Sequence, residues 1–422
     1  MAVIRVKRWQ PELVAPATPT PHEVKLLSDI DDQEGLRIHV RNIYIYCHSP
    51  SMEGKDPVKV IRDALSRTLV FYYPFAGRLR EGHGRKLMVD CTAEGVLFIE
   101  ADADVTLDQL GQALQTPFPF CEELLYNVPG SDGIVGCPLL LIQVTRFKCG
   151  GFTFAIRMNH TMCDGAGFAQ FMSALAEMAR GAHQPSVLPI WQRELLSARN
   201  PPRITCNHPE FEKPKDIAEW QTIIGSIENM IERFFFFGPS DIASLGNLVR
   251  DQLGEAKYST FELITAYSNW LLWKRYGISR GSTVEKLCEN PITYAVELIK
   301  KAIAEVKEEY MHSLADLLVI NGRPFYTLPW SFLATKLWRM GYRKMDFGWG
   351  NLVYGGLTGT DNVFADLSLM DYVNPNGEEG ILLPILLPAK AMERFAKELD
   401  DMLGNPNQAI KSGNKSQHNS QV

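Results

Sequence analysis

Hydrophobic and polar positions recur along this chain with two periods, and the switches between them mark its elements. Ile61, Leu65 and Leu69 fall at helical spacing within 58–69, and Pro74 stops anything that continues from that helix. Residues 137–147 are nearly all apolar, which predicts a strand buried on both faces. Lys148, Cys149, Gly150 and Gly151 turn the chain back. Phe152, Phe154, Ile156 and Met158 then alternate with Thr153, Ala155, Arg157 and Asn159, the pattern of a strand with one apolar face. Phe168, Phe171, Met172 and Leu175 share one face of a helix over 165–180. The local order is hairpin, tight loop, helix.

Further along, helical spacing predicts helices over 260–276, over 294–310 through Ile299, Ala302, Ile303 and Val306, and over 389–403 through Met392, Phe395 and Leu399. Strand-like runs lie at 232–237, 351–357 and 380–387. The first nine residues alternate apolar with basic side chains, which suits a strand better than the core of a signal peptide. Both element types in both halves predict an α/β or α+β layered fold. Pro201, Pro202, Pro209 and Pro214 crowd one short stretch, and proline removes backbone donors. The division is therefore a first domain at 1–196, a proline-rich crossover at 197–216, a second domain at 217–403 and a disordered tail at 404–422.

Composition narrows the class. Of 422 residues 45% are hydrophobic and 22% charged, which excludes a disordered chain or a fibrous repeat. Forty-three Lys+Arg against 49 Asp+Glu leave a net charge of -6, and no basic stripe offsets it, so no nucleic-acid partner is expected. The longest apolar stretches, 138–144 and 381–389, fall far short of a bilayer span, so no membrane partner is expected. Eight cysteines, none closer than Cys137 and Cys149, form no CxxC and no disulfide framework. Reduced thiols in the cytoplasm are the expectation.

The candidate chemistry sits in the loop between strand and helix, Asn159-His160-Thr161-Met162-Cys163-Asp164-Gly165. His160 continues the parity of Met158 and leaves the strand on its apolar face, where a neutral imidazole can accept a proton. Alone, HxxxD is weak: roughly one chance match is expected in every two such chains, and a hydrogen-bonded histidine at a sheet edge is the plain alternative. Asp346-Phe347-Gly348-Trp349-Gly350 is far rarer, on the order of once in ten thousand chains of this composition. Two glycines flanking a tryptophan imply a tight turn that fixes an indole, and the aspartate suggests an anchoring ion pair. Its first three letters do not make a kinase, because no HRD loop, Gly-rich loop or APE accompanies them. A Cys163 nucleophile is disfavoured by its closeness in sequence to His160, and no GxSxG elbow exists for a serine. His160 and Asp164 lack further ligands for a metal.

Together, HTMCDG and DFGWG resemble the BAHD family of plant acyl-CoA-dependent acyltransferases. The likeness extends to Leu27-Ser28-Asp29-Ile30-Asp31, Tyr73-Pro74-Phe75-Ala76-Gly77-Arg78, Phe234-Phe235-Phe236-Phe237-Gly238 and Ile381-Leu382-Leu383-Pro384. The stretch from Asp29 to Gly35, with Val89-Asp90-Cys91, looks most like the volatile-ester branch. That resemblance implies two domains of the chloramphenicol acetyltransferase type, with mixed sheets, flanking helices and a long crossover between them. It implies a solvent channel with His160 at its middle, and a monomer. Acyl-CoA is then a co-substrate, with no permanently bound cofactor, and the other partner is a small alcohol such as benzyl alcohol or methanol. The acyl group would be benzoyl, acetyl or anthraniloyl. His160 is the implied general base. The Trp349 indole N–H is the implied oxyanion donor, with a purely packed tryptophan as the equal alternative. Asp164, Gly165, Asp346, Gly348 and Gly350 are implied structural supports, Asp164 by pairing with an arginine of the second domain. CoA phosphates call for basic residues; Lys300, Lys301 and Lys307 are candidates, against the plain reading of a solvated helix face.

One stretch departs from the family pattern. Relatives follow the equivalent of Tyr276 with a strand bearing Asn-x-Arg and a Gly-Tyr-x-Gly-Asn turn, whereas here Gly277 to Gly281 lead directly to Val284. Some tens of residues are missing, so the second domain is expected to be truncated. The lost piece would carry the arginine partner of Asp164, for which Arg280 is a candidate substitute. An inactive or impaired relative that at most binds acyl-CoA is the alternative expectation.

Overall fold

The computed structural model describes residues 4–111, 120–211, 230–253, 258–276, 286–287, 289–324, 332–350, 352–358, 365–374 and 376–403. Its largest sheet has the order β1 (Val6–Arg8), β7 (Val96–Ala103), β8 (Leu140–Arg146), β9 (Phe152–Asn159), β4 (His39–Tyr46) and β12 (Leu352–Leu357), with β2 (Glu12–Val14) also beside β7. Only β7 and β8 run parallel within it. A small antiparallel sheet joins β3 (Val24–Leu26), β6 (Leu87–Asp90) and β5 (Arg78–Glu81). The second half builds a four-stranded sheet, β10 (Met230–Phe237), β14 (Glu379–Pro388), β13 (Ala365–Val373) and β11 (Phe332–Lys336). Sheets with parallel and antiparallel pairs, flanked by helices, make this a mixed α/β fold.

The apolar patterns explain the layers. In β10, Phe234 and Phe236 face one core while Phe235 and Phe237 face another, so the run of four phenylalanines is covered on both sides. The first core spans both halves and takes in Tyr342, Phe347, Trp349 and Tyr354; the second is confined to the C-terminal half. Ala391, Met392, Phe395, Ala396 and Leu399 form the buried stripe of the helix Ala389–Leu403. Asp56 caps the helix Pro57–Phe71, which packs on the helix Gly165–Ala179.

Three expectations change on contact with the structure. β9 is buried along its whole length, not on one face. Its polar positions are covered because Arg157 donates to the carbonyl and Oγ of Ser131, at 2.6 and 2.7 Å, and to Asn127. The helix expected over 294–310 is two helices, Ile292–Glu305 and Glu308–Ile320, leaving Ile303 and Val306 exposed. Tertiary contacts override its periodicity, since the second helix docks on the crossover. Ser313 Oγ accepts from the backbone of Thr205 and Cys206, at 3.0 and 2.9 Å, and Arg199 meets Asp316 at 2.6 Å. Finally, β12 comes from the C-terminal half but pairs antiparallel with β4, so the largest sheet is completed by the second half of the chain. Among the described residues no helix is long and apolar enough to cross a membrane, and all seven described cysteines are free. The tail at 404–422 and Arg280 lie outside the described residues.

Candidate active site

β9 ends where the chemistry begins. His160–Met162 forms a single 3-10 turn, and Cys163 leads to Asp164, the N-cap of the helix Gly165–Ala179. Such a short turn leaves its own backbone groups unsatisfied, so neighbours must supply partners. Asn159 Oδ1 accepts from Thr161 N at 3.2 Å and from Thr161 Oγ1 at 2.8 Å. The His160 N–H donates to the Ile38 carbonyl at 2.9 Å, just ahead of β4. Asp164 Oδ1 accepts from Gly167 N at 2.8 Å. Asp164 is exposed, and among the described residues it forms no ion pair.

The C-terminal half closes on this turn. A Cβ on Gly165 would lie 3.2 Å from Leu337 Cδ2 and 3.6 Å from Tyr342 Oη, so glycine permits the close approach. The Phe168 and Tyr342 rings sit 5.9 Å apart. The His160 ring is half-buried. Its Nδ1 is enclosed without a hydrogen-bond partner among the described residues, and Nε2 is the nitrogen left open. Cys163 does not compete as a nucleophile, because burial pushes its thiol far above the usual range and keeps it protonated.

DFGWG lies at the other end of β9. Asp346 Oδ1 accepts from the N–H groups of Gly348 and Gly350, at 2.7 and 2.8 Å, and both glycines have positive φ, +108° and +85°. The anchoring ion pair expected of Asp346 is absent among the described residues. The carboxylate instead ties its own loop, and Arg180 donates to the Asp346 carbonyl. Phe347 wedges between Tyr46 and Phe154, with ring centroids 5.5 and 5.1 Å away. Trp349 meets Phe152 edge-on at 5.1 Å.

That contact corrects the oxyanion expectation. Phe152 opens β9 and His160 follows its last residue, so about 25 Å of extended backbone separates them. Trp349 cannot donate to an oxyanion forming at His160, and of the two readings the packed tryptophan holds. The structure brings His160, Asp164 and Gly165 together in the turn and the helix start that follows it, and holds Asp346, Gly348, Trp349 and Gly350 apart. Lys300, Lys301 and Lys307 are exposed, and Lys301 faces Glu305 at 3.7 Å one helical turn on. Sequence reading missed Tyr342 and Arg193 as neighbours of the turn. A lone tyrosine or arginine carries no local signal, and only the tertiary fold brings them there. No group of three or more His, Cys, Asp or Glu suited to a metal occurs among the described residues.

Known proteins resemble this chain along most of its length. The model of the Transferase family matches residues 4–286 and 275–402. A benzyl alcohol O-benzoyltransferase of Nicotiana tabacum is 51% identical over 442 aligned positions, covering 95% of this chain and 94% of the relative. A 13-hydroxylupanine O-tigloyltransferase of Lupinus albus is 49% identical, covering 95% of this chain and 95% of the relative. Alcohol acyl transferase 1, allele GSa, of Malus domestica is 47% identical and covers 97% and 96%. Among solved structures, vinorine synthase superposes with a TM-score of 0.69 at 21% identity, over 96% of this chain and all of the other. An alignment of 442 positions that engages 95% of 422 residues leaves about 40 positions without a residue here. The two family matches meet at 275–286, where the sequence departs from the family pattern.

Proposed function

Because the chain belongs to the Transferase family, the BAHD acyltransferases, and is an acyltransferase, we propose that it moves an acyl group from acyl-CoA to the hydroxyl of a small alcohol, with His160 as general base. The observation that carries this reading is the placement of His160: a strand-end imidazole, with Nε2 open, on a turn closed over by the other half of the chain. Relatives at about half identity are named as O-acyltransferases of benzyl alcohol, of 13-hydroxylupanine and of alcohols generally, which favours an oxygen nucleophile.

An alcohol attacks poorly at neutral pH while it keeps its proton. His160 Nε2 takes that proton as the alcohol oxygen bonds to the thioester carbonyl carbon. When the tetrahedral intermediate collapses, the C–S bond breaks and the proton passes to the departing sulfur. The products are an ester and free CoA thiol. Thiolate departure is easy, since a thiol pKa is about 8.5. No acyl-enzyme is needed. Asp164 and Gly165 shape the turn and the helix start; Asp346, Gly348 and Gly350 shape the distant loop. In this reading acyl-CoA is a co-substrate, no cofactor is permanently bound, and the enzyme works as a cytoplasmic monomer. Benzoyl, acetyl or anthraniloyl is the acyl group, and benzyl alcohol, methanol or another small alcohol accepts it. The inactive-relative alternative is not favoured by these similarities.

The test is release of free CoA thiol, with ester product, from the purified chain given each acyl-CoA and alcohol. His160→Ala should lower kcat by about 10³-fold, within the range for general-base removal. A folded protein that turns over no pair, or a His160→Ala variant with unchanged kcat, overturns the proposal.

A further inference from the structure

We infer that Arg193 and Asp31 form a positioning pair for His160, an inference that rests on the general-base reading. Arg193 opens the short turn Arg193–Leu196, just before the crossover, and Asp31 belongs to the loop between β3 and β4. One arm of the guanidinium, Nη2, donates to the Met162 carbonyl at 2.5 Å. The other, Nη1, donates to Asp31 Oδ2 at 2.7 Å. Asp31 is itself fixed, because Ser28 Oγ donates to the same carboxylate oxygen at 2.7 Å and accepts from Asp31 N at 3.0 Å. The chain of contacts therefore runs from Ser28 through Asp31 and Arg193 to the last residue of the turn that His160 begins.

Both ends of that turn are tied from outside. The His160 N–H holds its start to Ile38, and Arg193 holds its end at Met162. A single 3-10 turn has too few internal hydrogen bonds to fix its own pitch, so releasing one end lets the imidazole rotate off its line. Arginine suits the task because its planar fork reaches two acceptors at once, which a lysine ammonium on a flexible stem does not reproduce. The stretch that leads into the crossover has an anchor besides Arg193. Trp191, two residues earlier, already packs edge-on against Tyr72, with centroids 6.1 Å apart. The pair is therefore placed to aim the turn, and Trp191 also holds that stretch down. As general-base transfer demands a fixed donor–acceptor line, misaiming falls on kcat more than on binding.

The experiment uses the full chain with Arg193→Ala, Arg193→Lys, Asp31→Asn and the Arg193→Ala/Asp31→Asn double variant. Expected are a 10- to 100-fold lower kcat for Arg193→Ala, KM values for both substrates within about threefold, and a smaller loss for Arg193→Lys. Millimolar guanidinium should restore part of the Arg193→Ala kcat. The double variant should be no worse than Arg193→Ala alone, as expected of residues acting as a unit. A kcat within twofold of wild type in Arg193→Ala overturns the inference, as does a loss that only follows the folded fraction and resists guanidinium. An activity-free readout separates this from failure of the general-base reading. The His160 imidazole NMR signal, assigned by its disappearance in His160→Ala, should shift or broaden in Arg193→Ala whether or not the wild type turns over. An unchanged signal there overturns the positioning role.

Discussion

The two ends of β9 carry loops built by the same device and put to different uses. At each, an aspartate reaches forward along its own chain to capture backbone N–H groups: Asp164 takes that of Gly167, and Asp346 takes those of Gly348 and Gly350. At the far end the captured loop presses two aromatic rings into the sheet, and Trp349 is 6% exposed. At the near end the turn just before the captured segment leaves an imidazole nitrogen open. An aspartate that organises a loop thus says little about chemistry; what the loop presents decides. The rarer motif is the fastening, and in the proposed function the commoner one carries the reactive group.

The sharpest way to break this contrast is to exchange the fates of His160 and Trp349. Against the thousandfold loss for His160→Ala, Trp349→Phe removes the indole N–H but keeps a ring against Phe152, and should hold kcat within about threefold. Trp349→Ala should cost about 3–5 kcal/mol of stability, the usual price of an aromatic cavity, read by denaturant unfolding. If Trp349→Phe lost activity as His160→Ala does, the two ends would not be functionally separate. Asp346→Ala comes next, at about 2 kcal/mol, because two charge-assisted hydrogen bonds go while turnover per folded molecule stays near wild type.

Asp164→Ala should be milder, about 1 kcal/mol in the unfolding midpoint, the ordinary cost of a lost N-cap. Asp164→Asn sharpens the point, since asparagine caps as well as aspartate. Near-wild-type stability and turnover would mark the cap as its main duty, whereas a loss equal to that of alanine would reveal a charged partner. The smallest effect concerns His39, the β4 residue opposite Asn159. Burial, with repulsion from the Arg157 guanidinium, lowers its imidazole to about 4. The unfolded chain binds a proton below about 6.5 that the folded chain refuses until about 4, so stability is full above that window and falls as pH drops through it. His39→Gln should flatten the acid slope by about 1 kcal/mol between pH 6.5 and 4, a figure discounted for partial exposure and read by unfolding at a pH series.

Much of the fold was legible because its elements carry clean periods. The helices Thr260–Tyr276 and Ala389–Leu403 lie where the spacing put them, and the four phenylalanines of β10 announced a strand. β13 and β4 were not read, because Ala365–Val373 mixes polar and apolar residues and His39-Val40-Arg41-Asn42 opens β4 with polar side chains. That opening becomes a strand by pairing with β9, distant in sequence, which no local window contains. The same limit applies at the site. HTMCDG located the turn, but Arg193 and Tyr342 reach it from 31 and 180 residues away from Met162. For Trp349 the sequence left an indole donor and a packed ring equally open, because likeness in sequence carries no distance.

β12 sets a condition on how the molecule is made. The edge of β4 gains its neighbour only when Leu352–Leu357 has left the ribosome, nearly two hundred residues after the sequence that completes β9. Through that interval of synthesis the N-terminal half emerges with an unpaired strand margin, open to other nascent chains or to chaperones. Severing the chain in its crossover should therefore yield an insoluble first fragment, rescued when the second is supplied in the same cell.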